Sequence, residues 1–84
     1  MRLRFTEPAC EDYRYWERHE PKKAQKIQKL CEAVLENPYE GIGKPEPLKF
    51  DLQGCWSRRI DRVHRLVYQV QEDEVIIIAC RYHY

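Results

Sequence analysis

Apolar residues recur at helical spacing in the first half of the chain. After Thr6, a stripe of residues three positions apart predicts an amphipathic helix that ends near His19. Thr6 is placed to cap this helix, because its hydroxyl can accept a hydrogen bond from the first turn. Glu7 and Pro8 both suit that turn. The stripe consists of Cys10, Tyr13 and Trp16.

A second helix is predicted from Pro21 to Asn37. Proline is favoured in a first helical turn, and Asn37 ends the helix because the residue before a proline is pushed out of the helical region. One face is apolar, the other is rich in lysine and glutamine, and the two helices should pack as a hairpin. The apolar face consists of Ala24, Ile27, Leu30, Cys31, Val34 and Leu35.

The other segments alternate apolar and polar residues, as β-strands do. The first is RLRFT, with Leu3 and Phe5 facing inward. After a loop rich in glycine and proline, four more strands are expected in PLKF, CWSRRI, HRLVYQV and VIIIACRYH. Short turns connect these four, so they should pair antiparallel. The order β-α-α-β-β-β-β predicts an α+β fold, one domain over residues 1–84, with the helix hairpin on one face of a twisted antiparallel sheet.

The last strand is apolar on both sides as far as Cys80, which is typical of a central strand. A period of two puts Val75, Ile77, Ala79, Arg81 and His83 on one side, and Ile76, Ile78, Cys80, Tyr82 and Tyr84 on the other. A central strand is a rigid support, so we expect it to hold the side chains at its C-terminal end in defined positions.

Composition narrows the class of protein. Charged residues make up 35% and hydrophobic residues 43%, which is typical of a globular protein and not of a disordered one. The N-terminus lacks the apolar region of a secretory signal, and no run reaches the ~18 apolar residues of a membrane helix. A cytoplasmic protein is therefore expected. The cysteines lack zinc-ligand spacing and are interpreted as reduced core residues, so no metal or cofactor is expected: Cys10, Cys31, Cys55 and Cys80.

The distribution of charge is more informative than its sum. The formal net charge is only +1, but residues 44–65 contain six Lys and Arg against three acidic residues. Such a local excess can attract phosphates even when the whole protein is nearly neutral.

Several polar residues in the predicted strands could cleave a phosphodiester without a metal. In RNA, the 2′-hydroxyl can attack the neighbouring phosphorus. This reaction needs a base for that proton, an acid for the leaving 5′-oxygen, and cations on the phosphate. The candidate residues are Glu46, Lys49, Arg58, Arg59, His64, Arg65, His83 and Tyr84.

Each of these residues also has an ordinary structural interpretation. Glu46 can be a surface carboxylate in a loop. The basic run from Arg58 to Arg65 can be a charged sheet edge that prevents aggregation, and His83 can belong to a frayed terminus. His64, at the start of a strand, is interpreted as structural rather than catalytic.

Several motifs together resemble one family. GKPEPLK, WSRRI, HRLVY and the terminal CRYHY, with DYRYW near the N-terminus, are similar to the Txe/YoeB family of the RelE-like toxin superfamily. The resemblance covers essentially the whole chain. It implies a compact fold with two helices on a twisted sheet, and an endoribonuclease that enters the 70S ribosome and cuts mRNA in the A site. It also implies a cognate antitoxin that blocks the site, with operator DNA bound only through the antitoxin complex, and no membrane.

The resemblance also implies roles for individual residues. Glu46 matches the general base, Arg65 the arginine that stabilises the phosphate, and His83 the general acid. The terminal Tyr84 matches a tyrosine that orients the substrate. Residues matching those that contact the phosphate or RNA backbone are Lys49 and Arg59. The roles of Glu46 and His83 as base and acid can be exchanged.

Two other functions fit a small basic α+β domain. Relatives with this fold inhibit DNA gyrase without cutting RNA, and such an inhibitor would not need Glu46, Arg65 and His83. A binding module, such as a co-repressor or an RNA chaperone, would bind stoichiometrically and leave no cleavage products.

Overall fold

The computed structural model describes residues 1–82, and the predictions for His83 and Tyr84 therefore lie outside the described residues. The elements follow the predicted order. They are β1 (Arg2–Phe5), α1 (Glu7–His19), α2 (Pro21–Glu36), β2 (Glu46–Pro47), a 3₁₀ turn (Phe50–Leu52), β3 (Cys55–Arg59), β4 (Arg65–Val70) and β5 (Glu74–Ala79).

Both helices begin and end where local chemistry predicts. Thr6 Oγ1 accepts a hydrogen bond from the Ala9 N–H at 3.3 Å, which caps α1. Glu20 lies between the helices in a non-helical conformation, and α2 starts with Pro21. Asn37 is extended and ends α2. Neither helix, nor any other within residues 1–82, is long and apolar enough to cross a membrane.

The five strands form one sheet in the order β1-β5-β4-β3-β2. Strands β2 to β5 pair antiparallel, as predicted. β1 instead pairs parallel with β5, so the sheet is mixed rather than purely antiparallel. A tight turn forces two strands to run in opposite directions, but β1 is connected to the sheet through two helices and is free of that constraint. β5 lies between β1 and β4, which confirms that it is a central strand.

The strand predicted in PLKF is wrong in its bounds. β2 covers only Glu46–Pro47, and the chain then turns through residues 50–52. Leu48 and Leu52 both pack against buried residues of the sheet. Two inward residues four positions apart fit one turn of helix better than a strand with period two.

The sheet buries side chains on both faces. On the helix side, α1 and α2 pack against residues that include Leu66, Tyr68 and Ile77. On the other side, which we call the open face, a smaller cluster of Cys55, Val67 and Ala79 is covered only by the turn after β2. Cys10 is half-buried and the other three cysteines are buried, all four as free thiols, which confirms their interpretation as reduced residues.

A β-bulge in β5 overturns the predicted alternation of its side chains. Tyr68 is opposite Ile77 while Val67 is opposite Ala79, so Ile78 is an extra residue. A bulge shifts the period-two pattern by one position. Ala79 therefore packs on the open face and Cys80 on the helix side, the reverse of the prediction. The strand also ends at Ala79 and does not continue into the C-terminal residues.

Candidate functional site

Three of the predicted site residues share the open face. Glu46 is opposite Ser57, and Arg59 is opposite Arg65. Ser57 and Arg59 are two residues apart in β3, so their side chains lie on the same face. Glu46 and Arg59 are thus diagonal neighbours, at a separation of about 7–8 Å between strands. The register brings a carboxylate and two guanidinium groups into one patch.

The charges of this patch are not neutralised within the fold. Glu46 and Arg59 are exposed and Arg65 is half-buried. Lys49 is also exposed and follows Glu46 by three residues, in the turn that covers the open face. Within residues 1–82, none of these four takes part in an ion pair. Three cations beside one carboxylate leave an excess of positive charge where a phosphate could bind.

Arg65 is held at the start of β4 by its own turn. Its Nη1 donates hydrogen bonds to the carbonyl oxygens of Asp61, at 3.1 Å, and His64, at 3.3 Å. These are its only side-chain hydrogen bonds to residues 1–82. The other edge of the guanidinium is thus available to an anion, in the geometry that suits a phosphate.

Asp61 organises the β3–β4 turn that carries Arg65, a role that sequence analysis missed. Its Oδ1 accepts from the N–H groups of Val63 at 2.8 Å and His64 at 2.7 Å, and its Oδ2 pairs with Lys23 at 2.6 Å. Burial disfavours the charged carboxylate, but the Lys23 contact and the two backbone hydrogen bonds outweigh it. Together they lower the pKa of Asp61 to about 2. The sequence carried a signal, since aspartate is favoured at the start of a tight turn.

The lowered pKa of Asp61 predicts a pH-dependent contribution to stability. Because its folded-state pKa lies below its ordinary value of 3.8, the contribution is complete above about pH 4 and is lost as pH falls towards 2. Asp61→Asn should destabilise the protein by about 1–2 kcal/mol at pH 7. The difference from the unmodified protein should shrink to near zero at pH 2.

Urea unfolding of both proteins between pH 2 and 7 measures this difference. Asp73→Asn is the matched control, because Asp73 pairs with Arg2 on the exposed surface and such pairs contribute little. A destabilisation by Asp61→Asn that stayed constant across this range would contradict the assignment.

The segment after β5 is fastened to α1. The Cys80 N–H donates to Asp12 Oδ2 at 3.1 Å, and Trp16 Nε1 donates to the Cys80 carbonyl at 2.8 Å. The Arg81 guanidinium lies 3.5 Å from the ring centre of Tyr15, which is a cation–π contact. The C-terminal segment is thus positioned by helix contacts, and not by extension of the strand as the sequence predicted.

Tyr82 connects this segment to the patch. Its N–H donates to His64 Nδ1 at 2.7 Å, and its carbonyl accepts from the Arg65 N–H at 2.8 Å. Its φ of 65° lies in the left-handed region that is unfavourable for a bulky residue. His64 is thus a structural residue, as interpreted. The chain therefore reaches Arg65 immediately before His83 and Tyr84, whose places in the site stay predictions.

Arg58 does not belong to the site, although it lies in the basic run. Its side chain is fully buried on the helix side. The guanidinium donates to the Tyr68 hydroxyl and to the carbonyl oxygens of Asn37, Glu40 and Ile42. Arg58 is a structural residue that holds the loop after α2. Adjacent residues of a strand point to opposite faces, so Arg59 alone of this pair reaches the open face.

The open face is shallow, and the fold has a deeper cavity elsewhere. A cavity of about 460 Å³ lies between α1, α2 and β1, lined by apolar side chains that include Phe5, Tyr13 and Ile27. None of the predicted site residues that the structure describes lines it. Within residues 1–82, no three His, Cys, Asp or Glu side chains are grouped so that they could hold a metal ion.

Comparisons with known proteins agree with this arrangement of the whole chain. Residues 5–84 match the family described as YoeB-like toxin of bacterial type II toxin–antitoxin system. Toxin YoeB of Streptomyces coelicolor is 48% identical over 84 residues, the full length of both chains. The structure of a YoeB/ParE toxin from Agrobacterium tumefaciens, 42% identical, superimposes with a TM-score of 0.96 and full coverage of both chains.

A further solved structure contains a partner. In a heterotetrameric YoeB–YefM toxin–antitoxin complex from Staphylococcus aureus, the matching chain is 44% identical, with a TM-score of 0.91. The match covers 100% of this chain and 98% of that one. These superpositions confirm the predicted α+β fold class and its likeness to this group of toxins.

Proposed function

Since the chain belongs to the family of YoeB-like toxins of bacterial type II toxin–antitoxin systems, we propose that it is a ribosome-dependent endoribonuclease. Its substrate would be mRNA in the A site of the 70S ribosome, and its effect would be to stop translation. The observation that carries this proposal is the patch of Glu46, Arg59 and Arg65 on the open face, whose charges no ion pair within residues 1–82 neutralises.

The proposed reaction is a transfer of the phosphoryl group within the RNA. Glu46 takes the proton of a 2′-hydroxyl as the oxygen forms a bond to phosphorus, and the bond from phosphorus to the 5′-oxygen breaks. His83 supplies a proton to that leaving oxygen, and Tyr84 orients the substrate. The products are a 2′,3′-cyclic phosphate and a 5′-hydroxyl. No cofactor takes part, and no electrons are gained or lost.

The cations would act on the charge that builds on the phosphate. Arg65 presents the free edge of its guanidinium, while its Nη1 is bound to two carbonyl groups of its own turn. A donor that is already oriented needs no reorganisation as the transition state forms. Arg59 and Lys49 add positive charge beside it and suit the neighbouring phosphates of the RNA backbone.

The shallow shape of the site supports a requirement for the ribosome. A flexible RNA must be held in line before its 2′-hydroxyl can attack, and the open face has only the turn after β2 to confine it. The cavity that could enclose a ligand lies on the other side of the sheet. An mRNA already fixed in the A site would meet this face in a defined conformation.

We also infer a cognate antitoxin as the protein partner. The S. aureus relative is a complex of YoeB with YefM, and this chain matches its toxin along the full length. Binding over the open face would cover Glu46 and Arg65. Repression of the shared operon would then involve this protein through the antitoxin.

Mapping of 5′-ends on an mRNA, incubated with the purified protein with and without translating ribosomes, tests the proposed function. We expect cuts within the A-site codon, only when ribosomes are present, with 5′-hydroxyl ends. Cuts on naked RNA at the same rate would remove the ribosome from the mechanism. No cuts in either reaction, together with inhibition of DNA gyrase, would replace the proposal by the non-enzymatic alternative.

A further inference from the structure

The turn that follows β2 is built as a rigid support over the open face. Leu48 and Leu52 pack against the buried cluster of Cys55, Val67 and Ala79. The Leu48 N–H donates to the Cys55 carbonyl at 2.9 Å, and the Leu52 N–H donates to the Lys49 carbonyl at 3.2 Å. Both ends of the turn are thus fixed to the sheet, and its outermost residues are presented to solvent.

Phe50, at the tip of this turn, combines two unfavourable features. Its side chain is 91% exposed, more than any other large hydrophobic residue in the described part of the chain. Its φ is 60°, in the left-handed region where a residue with a Cβ is disfavoured. A single exposed apolar side chain is ordinary, but a strained backbone that exposes it is not. Among residues 1–82, no contact of the ring offsets either cost.

The position of Phe50 relates it to the proposed site. It follows Lys49 directly and is four residues from Glu46, within about 14 Å along an extended chain. Its exposed neighbours in the turn are polar, namely Lys49, Asp51 and Gln53. A lone ring among polar side chains is a poor docking patch for a protein. An aromatic ring beside a cation is instead the pattern that binds single-stranded nucleic acid, through a base and its phosphate.

We propose that Phe50 is a base-stacking residue that holds a nucleobase next to the scissile phosphate, while Lys49 contacts the backbone there. This inference depends on the proposed function, because it assumes that RNA binds the open face. Phe50 would be a positioning residue that takes no part in proton transfer. The strained backbone at φ 60° holds the ring outward, where a relaxed one would allow it to fold onto the surface.

Binding and cleavage together test this role. The binding probe is the 70S ribosome carrying an mRNA with a 2′-O-methylated A-site codon, which cannot be cut by 2′-hydroxyl attack. Phe50→Ala should raise the Kd for this complex about tenfold, and should raise the KM for unmodified mRNA similarly. The kcat should change less than about twofold, because stacking acts on substrate and transition state alike. Phe50→Tyr should behave as the unmodified protein.

Three further variants separate stacking from a general apolar contact, from the loss of any exposed ring and from a change in the backbone. Phe50→Leu keeps most of the apolar area and loses the ring face, so it should bind as weakly as Phe50→Ala. Tyr39→Ala removes an exposed aromatic ring that packs on Trp56, on the helix side, and should leave Kd unchanged. Phe50→Gly should raise the Tm by about 4 °C through relief of the backbone strain, while binding as weakly as Phe50→Ala.

The outcomes distinguish this inference from the proposed function. If the protein cuts mRNA but Phe50→Ala binds normally, or Phe50→Leu restores binding, stacking is overturned and cleavage stands. If binding depends on the ring while no cuts form, stacking stands and cleavage fails. If Phe50→Ala weakens binding of the antitoxin and not of the ribosome, the ring serves a protein contact and the inference is wrong.

Discussion

Arg65→Ala should lower the rate of mRNA cleavage about 10²–10³-fold, the usual effect of removing one oriented donor from a developing anion. Arg65 is directly opposite Arg59 and diagonal to the row that contains Glu46, so its loss leaves the phosphate with one neighbouring guanidinium. The fold should survive, because the carbonyl groups bound by Nη1 lie in a half-buried turn and can be hydrated by water. Single-turnover cleavage on programmed ribosomes measures the effect.

Conservative variants keep this prediction specific. Arg65→Lys retains the charge but loses the planar fork of donors, so we expect an intermediate loss of about tenfold. Glu46→Gln should lose activity as strongly as Arg65→Ala. The double variant should be little worse than either, because groups that act in one step are not additive. Cleavage by Arg65→Ala at the normal rate would exclude the proposed site, provided that circular dichroism shows the variant folded.

The helices could be predicted from local chemistry because every signal at their ends agreed. Thr6 caps α1, Pro21 starts α2 and Asn37 ends it, each through contacts with residues three or four positions away. Such signals lie within one turn of the chain, so they can be recognised without knowledge of the fold. The same holds for the turns between β3, β4 and β5.

The sheet was predicted less well because its details depend on residues far apart in sequence. The parallel pairing of β1 with β5 joins the two ends of the chain. The bulge at Ile78 depends on β4 as the partner, and nothing in an apolar run such as VIIIAC marks the extra residue. One bulge was enough to reverse the faces predicted for Ala79 and Cys80.

The candidate site was predicted in part for the same reason. Family resemblance selected Glu46, Arg59 and Arg65, and the register then brought them to one face. It did not reveal Asp61, which holds the turn under Arg65, or the contacts of Tyr82 with His64 and the backbone of Arg65. Supporting residues act through geometry, and geometry across strands is what a single sequence shows least.

Two adjacent arginines illustrate this limit and lead to the largest stability effect that we expect. Arg58→Ala should destabilise the protein by about 3 kcal/mol or more, because it leaves several buried acceptors without a donor and opens a cavity. The acceptors are the Tyr68 hydroxyl and three carbonyl groups of the loop after α2. The loop is also built tightly around the guanidinium, since a Cβ on Gly41 would lie 3.1 Å from Arg58 Nη1. Such a loss is a large part of the stability of a small domain.

Arg59→Ala is the matched control for Arg58→Ala, since the two residues are neighbours of the same type on opposite faces of β3. Its exposed side chain is in no ion pair within residues 1–82, so unfolding by urea should have the same midpoint as in the unmodified protein. Arg59→Ala should instead weaken mRNA cleavage through KM. In cells both variants would lose toxicity, one because it unfolds and the other because it binds RNA poorly. Only the rate per folded molecule separates them, and equal urea midpoints for the two variants would show that the assignment of Arg58 to the core is wrong.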